Sequence, residues 1–144
     1  DFIIDEIKKS NDILKKYIRQ KSGDEDVNPI IYNDTDSSYI TIKELMTSIN
    51  HPFSVDNKIT KPAYKEAQLV EKHLNNEIIK WASLVLNTKD CRFLFKRECM
   101  CDVGIFLQKK RYVLHVLDDE NIVNVYPYIL KCEVIVFVSK SRSS

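Results

Sequence analysis

The feature of this sequence that most constrains its fold is a short polar cluster between two β-prone runs. Residues 29–32 and 39–42 are rich in Ile and Tyr, and residues 33–38 between them are all Asn, Asp, Thr or Ser. This pattern predicts a β-hairpin with the polar residues at its bend. Asp34 and Asp36 are two residues apart, so an extended backbone between them would project both carboxylates to one side. Such a pair is costly without a cation, although Asn, Asp and Ser are also ordinary turn formers.

Length and composition indicate one globular domain at most. The chain has 144 residues, of which 44% are apolar and 30% charged. It begins at Asp1 without a methionine and with a helical pattern, so we expect a piece excised from a longer chain. The net charge is +1, but residues 89–112 hold seven basic against three acidic side chains. Such a segment is expected of a surface that faces phosphates, and a solvated lysine-rich hairpin has the same composition.

The cysteines and histidines do not form a metal-ligand pattern. The four cysteines, Cys91, Cys99, Cys101 and Cys132, include no CxxC pair, and the three histidines are isolated. We therefore expect reduced thiols with a packing role rather than a zinc site. No run approaches the about 20 apolar residues of a membrane helix, and we expect no signal peptide. We predict a cytoplasmic protein without a membrane partner.

Hydrophobic periodicity predicts three helices in the first part of the chain. Apolar residues recur at helical spacing over residues 2–19 and 63–87. A shorter helix fits residues 43–50, with Thr41 as its N-cap and Glu44 as the capping-box partner. Between the second and third helices we expect a surface loop.

From residue 91 the apolar period changes to two, which predicts antiparallel strands joined by short turns. The predicted strands are residues 92–101, 105–108, 112–117 and 122–126, with turns at 102–104 and 118–121. The polar residues 139–144 are expected to be loose. Helices and antiparallel strands in separate parts of the chain predict an α+β fold.

The string Tyr32-Asn33-Asp34-Thr35-Asp36-Ser37 resembles the Tyr-Gly-Asp-Thr-Asp-Ser signature in the palm domain of family B (polymerase-alpha-like) DNA polymerases. Asn33 stands where glycine is usual, and because Asn tolerates φ > 0 better than other non-glycine residues, the turn is still expected. A helix, an acidic connection and then this hairpin is also the order in which that palm is built. The resemblance implies that Asp36 is a direct metal ligand and that Asp34 is its supporting neighbour.

The string Lys109-Lys110-Arg111-Tyr112 is a common surface pattern on its own. Downstream of such a hairpin, however, it resembles the Lys-x-Tyr element of family B polymerases, which in the phage branch is Lys-Lys-Arg-Tyr followed by apolar strand residues. The resemblance implies that Lys110, Arg111 and Tyr112 bind primer-template DNA near the primer 3′ end. A lysine beside an aromatic hydroxyl suits that contact, because it reaches phosphate or base-edge acceptors.

Two further positions are similar to the same phage enzymes. Lys96-Arg97-Glu98 resembles an Arg-Glu pair that precedes the Lys-x-Tyr element, and Phe106 stands where those enzymes have an aromatic. The resemblance implies that Glu98 is an outer carboxylate of the metal site. An ion pair between Glu98 and Arg97 or Arg92 is the alternative.

The resemblance covers residues 1–131 and divides the chain into three segments. Residues 1–88 correspond to the C-terminal palm with the catalytic hairpin, and residues 89–131 to a palm-to-thumb β segment. Residues 132–144 are a tail without a match. The chain lacks the Asp-x-x-Ser-Leu-Tyr-Pro motif, the Lys-x-x-x-Asn-Ser-x-Tyr-Gly helix and an exonuclease motif.

The resemblance implies a fragment of a phage-type DNA-directed DNA polymerase, inactive alone, from the cytoplasm of an infected bacterial host. Its reaction would be two-metal phosphoryl transfer from a dNTP to a primer 3′ end, with Mg²⁺ as cofactor. Its partners would be primer-template DNA, dNTP and the rest of the polymerase chain, which completes the metal site. The alternatives are a non-catalytic nucleic-acid-binding α+β module and a plain α+β domain with an Asp-rich turn.

Overall fold

The computed structural model describes residues 2–34, 37–85, 93–108, 111–118 and 131–141, with side chains for 5–33, 37–84, 94–102 and 134–137. These residues form three helices and seven strands, which confirms the α+β fold class. The helices are α1 (Phe2–Ser22), α2 (Lys43–Ser48) and α3 (Lys61–Val85). The strands are β1 (Ile30–Asp34), β2 (Ser37–Thr41), β3 (Ser54–Val55), β4 (Lys58–Ile59), β5 (Phe93–Gln108), β6 (Arg111–Asp118) and β7 (Lys131–Ser141).

Five of the strands form one antiparallel sheet in the order β1-β2-β7-β5-β6. Both predicted hairpins, β1–β2 and β5–β6, are present. The central strand is β7, so the predicted loose tail is wrong for residues 139–141, which pair with residues 93–95 of β5. All four side chains from Val134 to Phe137 are buried, which explains why this run is continuously apolar.

The three helices pack on one face of this sheet. Ile7, Leu14 and Ile18 of α1 are buried, as the helical spacing predicted. Alternate residues of the strands meet the helices, because neighbouring side chains of a strand point to opposite faces. The sheet residues in this main core are Ile40, Phe95, Met100, Ile135 and Phe137, and those of α3 are Ala63, Ala67, Val70, Leu74 and Ile78.

A smaller buried cluster occupies the opposite face of the sheet. It contains Tyr39, Cys99, Cys101, Val134 and Val136, with Ile31 and Tyr32 packed against it. The central strands are therefore buried on both faces.

The sequence indicates a helix stop at Gly23, and α1 ends there, whereas the start of α2 differs from the prediction. Helix α1 extends to Ser22 and ends at Gly23, whose φ of 74° places it in the left-handed region while its N–H bonds to Arg19. The N-cap of α2 is Ile42, without a side-chain cap, so the capping box predicted on Thr41 is wrong. The Thr41 hydroxyl instead accepts a hydrogen bond of 3.2 Å from the Lys43 N–H.

Two of the predicted breaks in regular structure are also different. The predicted loop between α2 and α3 contains the β3–β4 hairpin, whose two-residue turn holds Asp56 and Asn57 at φ 51° and 62°. The predicted turn at residues 102–104 is absent, because β5 continues through it with register shifts between Cys101 and Val103. The strand predicted at residues 122–126 lies outside the described residues.

Candidate functional site

The candidate site lies at the end of the β1–β2 hairpin. Asp34 and Ser37 are the last register partners of this ladder, and Thr35 and Asp36 connect them. The structure therefore places the backbone of Asp34 at the hairpin end, as the sequence predicted. Asp36 lies outside the described residues, and so does the side chain of Asp34.

The hairpin is held from three sides. Strand β2 pairs along its whole length with β7, and Ser38 and Ile40 are fully buried against the helices. The Ser38 hydroxyl donates to the Asn11 side-chain oxygen of α1 over 3.3 Å. On the opposite face the Tyr32 and Tyr39 rings meet edge to face, with centroids 5.2 Å apart. A site at this end is thus attached to a rigid part of the sheet.

Asn33 occupies an ordinary strand position. It pairs with Ser38 and is not among the described residues with positive φ, so the glycine expected from the resemblance is not required here. Its Oδ1 atom is buried and has no hydrogen-bond partner within the described part of the chain. Register partners lie on the same face of a sheet, so Asn33 shares the face of Ser38, which is covered by α1. Its Oδ1 atom is therefore not a proposed metal ligand.

Two polar residues of α1 are buried, which the sequence pattern did not predict. Glu6 is 1% exposed and Ser10 is fully buried, and α1 contacts both β1 and β2. The Ser10 hydroxyl donates to the Ile7 carbonyl over 2.7 Å. The signal was a glutamate and a serine four residues apart within the apolar stripe of α1, a spacing that places them on one helix face.

The second predicted element belongs to the β5–β6 hairpin. Gln108 pairs with Arg111 and Phe106 with Tyr112, which places Arg111 and Tyr112 at the start of β6. Lys110 lies outside the described residues, as do the side chains of Arg111 and Tyr112.

The structure does not bring the two predicted elements together. Asp34, Ser37, Val138 and Lys96 are successive register partners across four strands, so the β1–β2 turn lies level with Lys96 of β5. Phe106, the partner of Tyr112, is ten residues further along β5, or about 30 Å at 3.3 Å per residue. The two hairpins also occupy opposite edges of the sheet.

At the level of the β1–β2 turn, strand β5 carries exposed charged side chains. Lys96 and Glu98 are both exposed, whereas Arg97 packs on α3 with its guanidinium carbon 5.2 Å from the centre of the Tyr64 ring. The backbone N–H of Arg97 donates to a Glu71 carboxylate oxygen over 3.1 Å. Lys96 and Glu98 are therefore exposed charged residues of β5 near this level of the sheet, and β7 lies between them and the hairpin. Strand register brings Lys96 to this level, which the sequence alone did not reveal.

The donor chemistry of the hairpin suits a hard cation, since paired carboxylates are ligands that Mg²⁺ prefers. Within the described residues there is no group of three or more His, Cys, Asp and Glu side chains that could hold a metal ion. Any ion at the hairpin would therefore depend on Asp34, Asp36 and ligands from elsewhere.

Comparisons of the chain with protein-family models, with curated proteins and with solved structures found no match. No helix in the described part of the chain has the length and apolar content needed to cross a bilayer.

Proposed function

We propose that this chain is part of a family B, phage-type DNA-directed DNA polymerase that adds dNTPs to a primer 3′ end. The observation that supports this best is the position of Asp34 at the last pair of a hairpin whose strands belong to a five-stranded sheet. Asp36 follows two residues later in the connection. Two acids at the end of a firmly held hairpin are what a phosphoryl-transfer site requires, because its ligands must be positioned before the reaction.

The reaction is an in-line displacement at the α-phosphorus of the dNTP. The primer 3′ oxygen forms the new bond to phosphorus and gives its proton to solvent, while the bond to the β-phosphate oxygen breaks and pyrophosphate leaves. Two Mg²⁺ ions, when bound, stabilise the attacking and leaving oxygens. Asp36 binds metal directly, Asp34 supports it, and the rest of the polymerase chain supplies the remaining ligands. This piece alone has no polymerase activity.

Lys110, Arg111 and Tyr112 contact the primer-template duplex in this proposal. Tyr112 lies about 30 Å along the strands from the level of the β1–β2 turn, an offset that corresponds to about nine base pairs at 3.4 Å per step. This separation favours contacts with the duplex behind the primer end rather than with the terminal nucleotide. The proposed contact therefore differs from the one that the resemblance implied, which was near the primer 3′ end. The partner, primer-template DNA, is the same.

A metal titration of this chain tests the proposed ligands. Mn²⁺ should broaden the amide signals of residues 33–38, and the double change Asp34→Asn with Asp36→Asn should remove that broadening. The matched control is Asp24→Asn with Asp26→Asn, which removes two acids from an exposed loop. Broadening centred on residues 24–26 would contradict the proposed ligands.

An activity measurement tests the reaction itself. In the intact polymerase, Asp36→Asn should lower nucleotide incorporation by at least about a thousandfold, because the constellation acts as a unit. Primer-template binding should remain, since the lost interaction is with metal. Near-normal incorporation would leave residues 34–36 as a turn only. DNA binding retained without any incorporation by the unchanged protein would favour the non-catalytic module.

Salt dependence tests the DNA contact. Lys110→Ala should reduce the slope of log affinity against log salt by about 0.9, the contribution of one phosphate. Lys80→Ala is the control, because Lys80 lies 3.5 Å from Glu77 on an exposed face of α3. An equal slope for both variants and the unchanged protein would make Lys110 an ordinary surface lysine.

A further inference from the structure

A cleft with three cationic side chains lies between the last three turns of α1 and the loop that follows this helix. Its volume is about 460 Å³, and its cations are Lys15, Lys16 and Arg19. The loop contributes Glu25 to the lining and leads to the start of β1, whereas Asp34 is at the other end of that strand. The cleft is therefore separate from the candidate site at the hairpin end.

The guanidinium of Arg19 is held in place by the backbone of the loop. The side chain is half-buried, and its Nε atom donates a hydrogen bond of 2.8 Å to the Val27 carbonyl. The two terminal nitrogens of a guanidinium carry four further N–H groups in a planar fork, a geometry that matches the oxygens of a phosphate. Because this fork is positioned before a ligand binds, less conformational entropy is lost on binding.

The three cations of the cleft are not paired with its acids. Asp12 and Glu25 also line the cleft, but within the described part of the chain none of the three cations forms an ion pair with a carboxylate. The helix macrodipole favours cations in the last turn of a helix. Lys15 and Lys16 lie almost two turns before the helix end at Ser22, where that effect has faded. Their positive charge is therefore available to a ligand.

We propose that this cleft binds the phosphate monoester group of a small phosphorylated ligand such as a mononucleotide. A phosphate monoester carries a charge of about −1.5 to −2 at pH 7, so two lysines and one arginine fork match its charge and its oxygens. Asp12 and Glu25 repel the continuous charge of a nucleic-acid backbone, whereas they accept hydrogen bonds from the hydroxyl groups of a small ligand. This proposal does not depend on the proposed polymerase function.

Titration of this chain with AMP tests the proposal. AMP should shift the amide signal of Gly23, which lines the cleft, in a saturable way, and adenosine, which lacks the phosphate, should not. Arg19→Gln and Lys16→Gln should each weaken AMP binding by about tenfold, because each removes a charge-assisted hydrogen bond. Lys16 is exposed, so its variant keeps the test valid if loss of the Arg19 contact disturbs the loop. Lys8→Gln is the matched control, since it makes the same charge change at an exposed position of α1 outside the cleft.

The charge of the ligand provides a second, independent measurement. The second pKa of a phosphate monoester is about 6, so AMP affinity should rise about tenfold between pH 5 and pH 7 as the dianion forms. No histidine is among the described residues that line the cleft, so this rise follows the ligand. A constant affinity, equal binding of adenosine, or equal weakening by Lys8→Gln would overturn the proposal. So would a single-stranded oligonucleotide without a terminal phosphate that binds the cleft more tightly than AMP, because the cleft would then be a site for a nucleic-acid backbone.

Discussion

The two long hairpins of this protein carry the two predicted site elements, but the tertiary structure supports them very differently. In β1–β2, one strand pairs with β7, the helices cover one face, and the Tyr32–Tyr39 pair lies on the other. In β5–β6, pairing of β5 with β7 ends at Val103 and Lys131. Beyond that level, β5 from Gly104 onward pairs within the described residues only with β6.

This difference shows that a turn signal in the sequence does not indicate whether other strands and helices pack against the hairpin. A group that must hold metal ligands in position needs a support such as β1–β2 has. A contact with DNA phosphates depends on charge and tolerates a looser position. The supported hairpin carries the acids, and the extended hairpin carries the basic string.

The largest expected effect on the free energy of unfolding is in the main core between the sheet and the helices. Phe95 of β5 is fully buried in the main core, so Phe95→Ala should lower the free energy of unfolding by about 3–5 kcal/mol. Leu84→Ala is the control, because Leu84 is 84% exposed and should cost little. Urea unfolding measures both. A loss below about 1 kcal/mol for Phe95→Ala would mean that the inner part of β5 is no better supported than its distal part.

An intermediate effect is expected where α3 covers β5. The Phe95 N–H donates to Asn75 Oδ1 over 2.7 Å, and Asn75 Nδ2 donates to the Phe95 carbonyl over 2.9 Å. Within the described residues, β6 pairs with β5 only from Met100 onward, and Asn75 takes the place of a neighbouring strand at Phe95.

Asn75→Ala leaves two backbone groups without partners and should lower the free energy of unfolding by about 2–3 kcal/mol. Asn75→Asp keeps the acceptor but sets a carboxylate oxygen against the Phe95 carbonyl oxygen, so its loss should be at least as large. Asn76→Ala, at the exposed neighbouring position, is the control and should be near neutral. Equal unfolding curves for Asn75→Ala and Asn76→Ala would contradict a role of α3 in holding β5.

The smallest expected effect is in the distal part of β5–β6. Replacing residues 106–112 by Asn-Gly keeps the Ile105–Val113 pair and closes the hairpin with a two-residue turn. The free energy of unfolding should change by less than about 1 kcal/mol, because a two-stranded extension is itself only marginally stable. Amide exchange in the unchanged protein should likewise be faster at Ile105 than at Ile40. A loss above about 3 kcal/mol on shortening would show that the distal hairpin is part of the core.

Local sequence signals determined the elements and their types. Helical spacing predicted α1 and α3, and alternation with turn residues predicted both hairpins, because these patterns arise from short-range backbone geometry. The α+β class and the place of Asp34 at a hairpin end follow from the same signals. The pattern did not predict the β3–β4 hairpin, nor the continuation of β5 through residues 102–104. Bulges, and Asp and Asn residues with left-handed backbone conformation, depend on the neighbouring strands.

The pairing of strands that are distant in the sequence could be learned from the three-dimensional structure alone. It placed residues 131–141 in the centre of the sheet, although the sequence predicted that residues 139–144 would be loose, because partners on both sides satisfy that backbone. Register brought Lys96 level with the β1–β2 turn and left Tyr112 about 30 Å away along the strands. The 3.8 Å separation of the Cys99 and Cys101 sulfur atoms likewise depends on the pairing of β5, which directs both side chains into the smaller buried cluster. The sequence specifies which residues of a strand alternate between its two faces. Pairing with neighbouring strands decides which residues of different strands lie side by side.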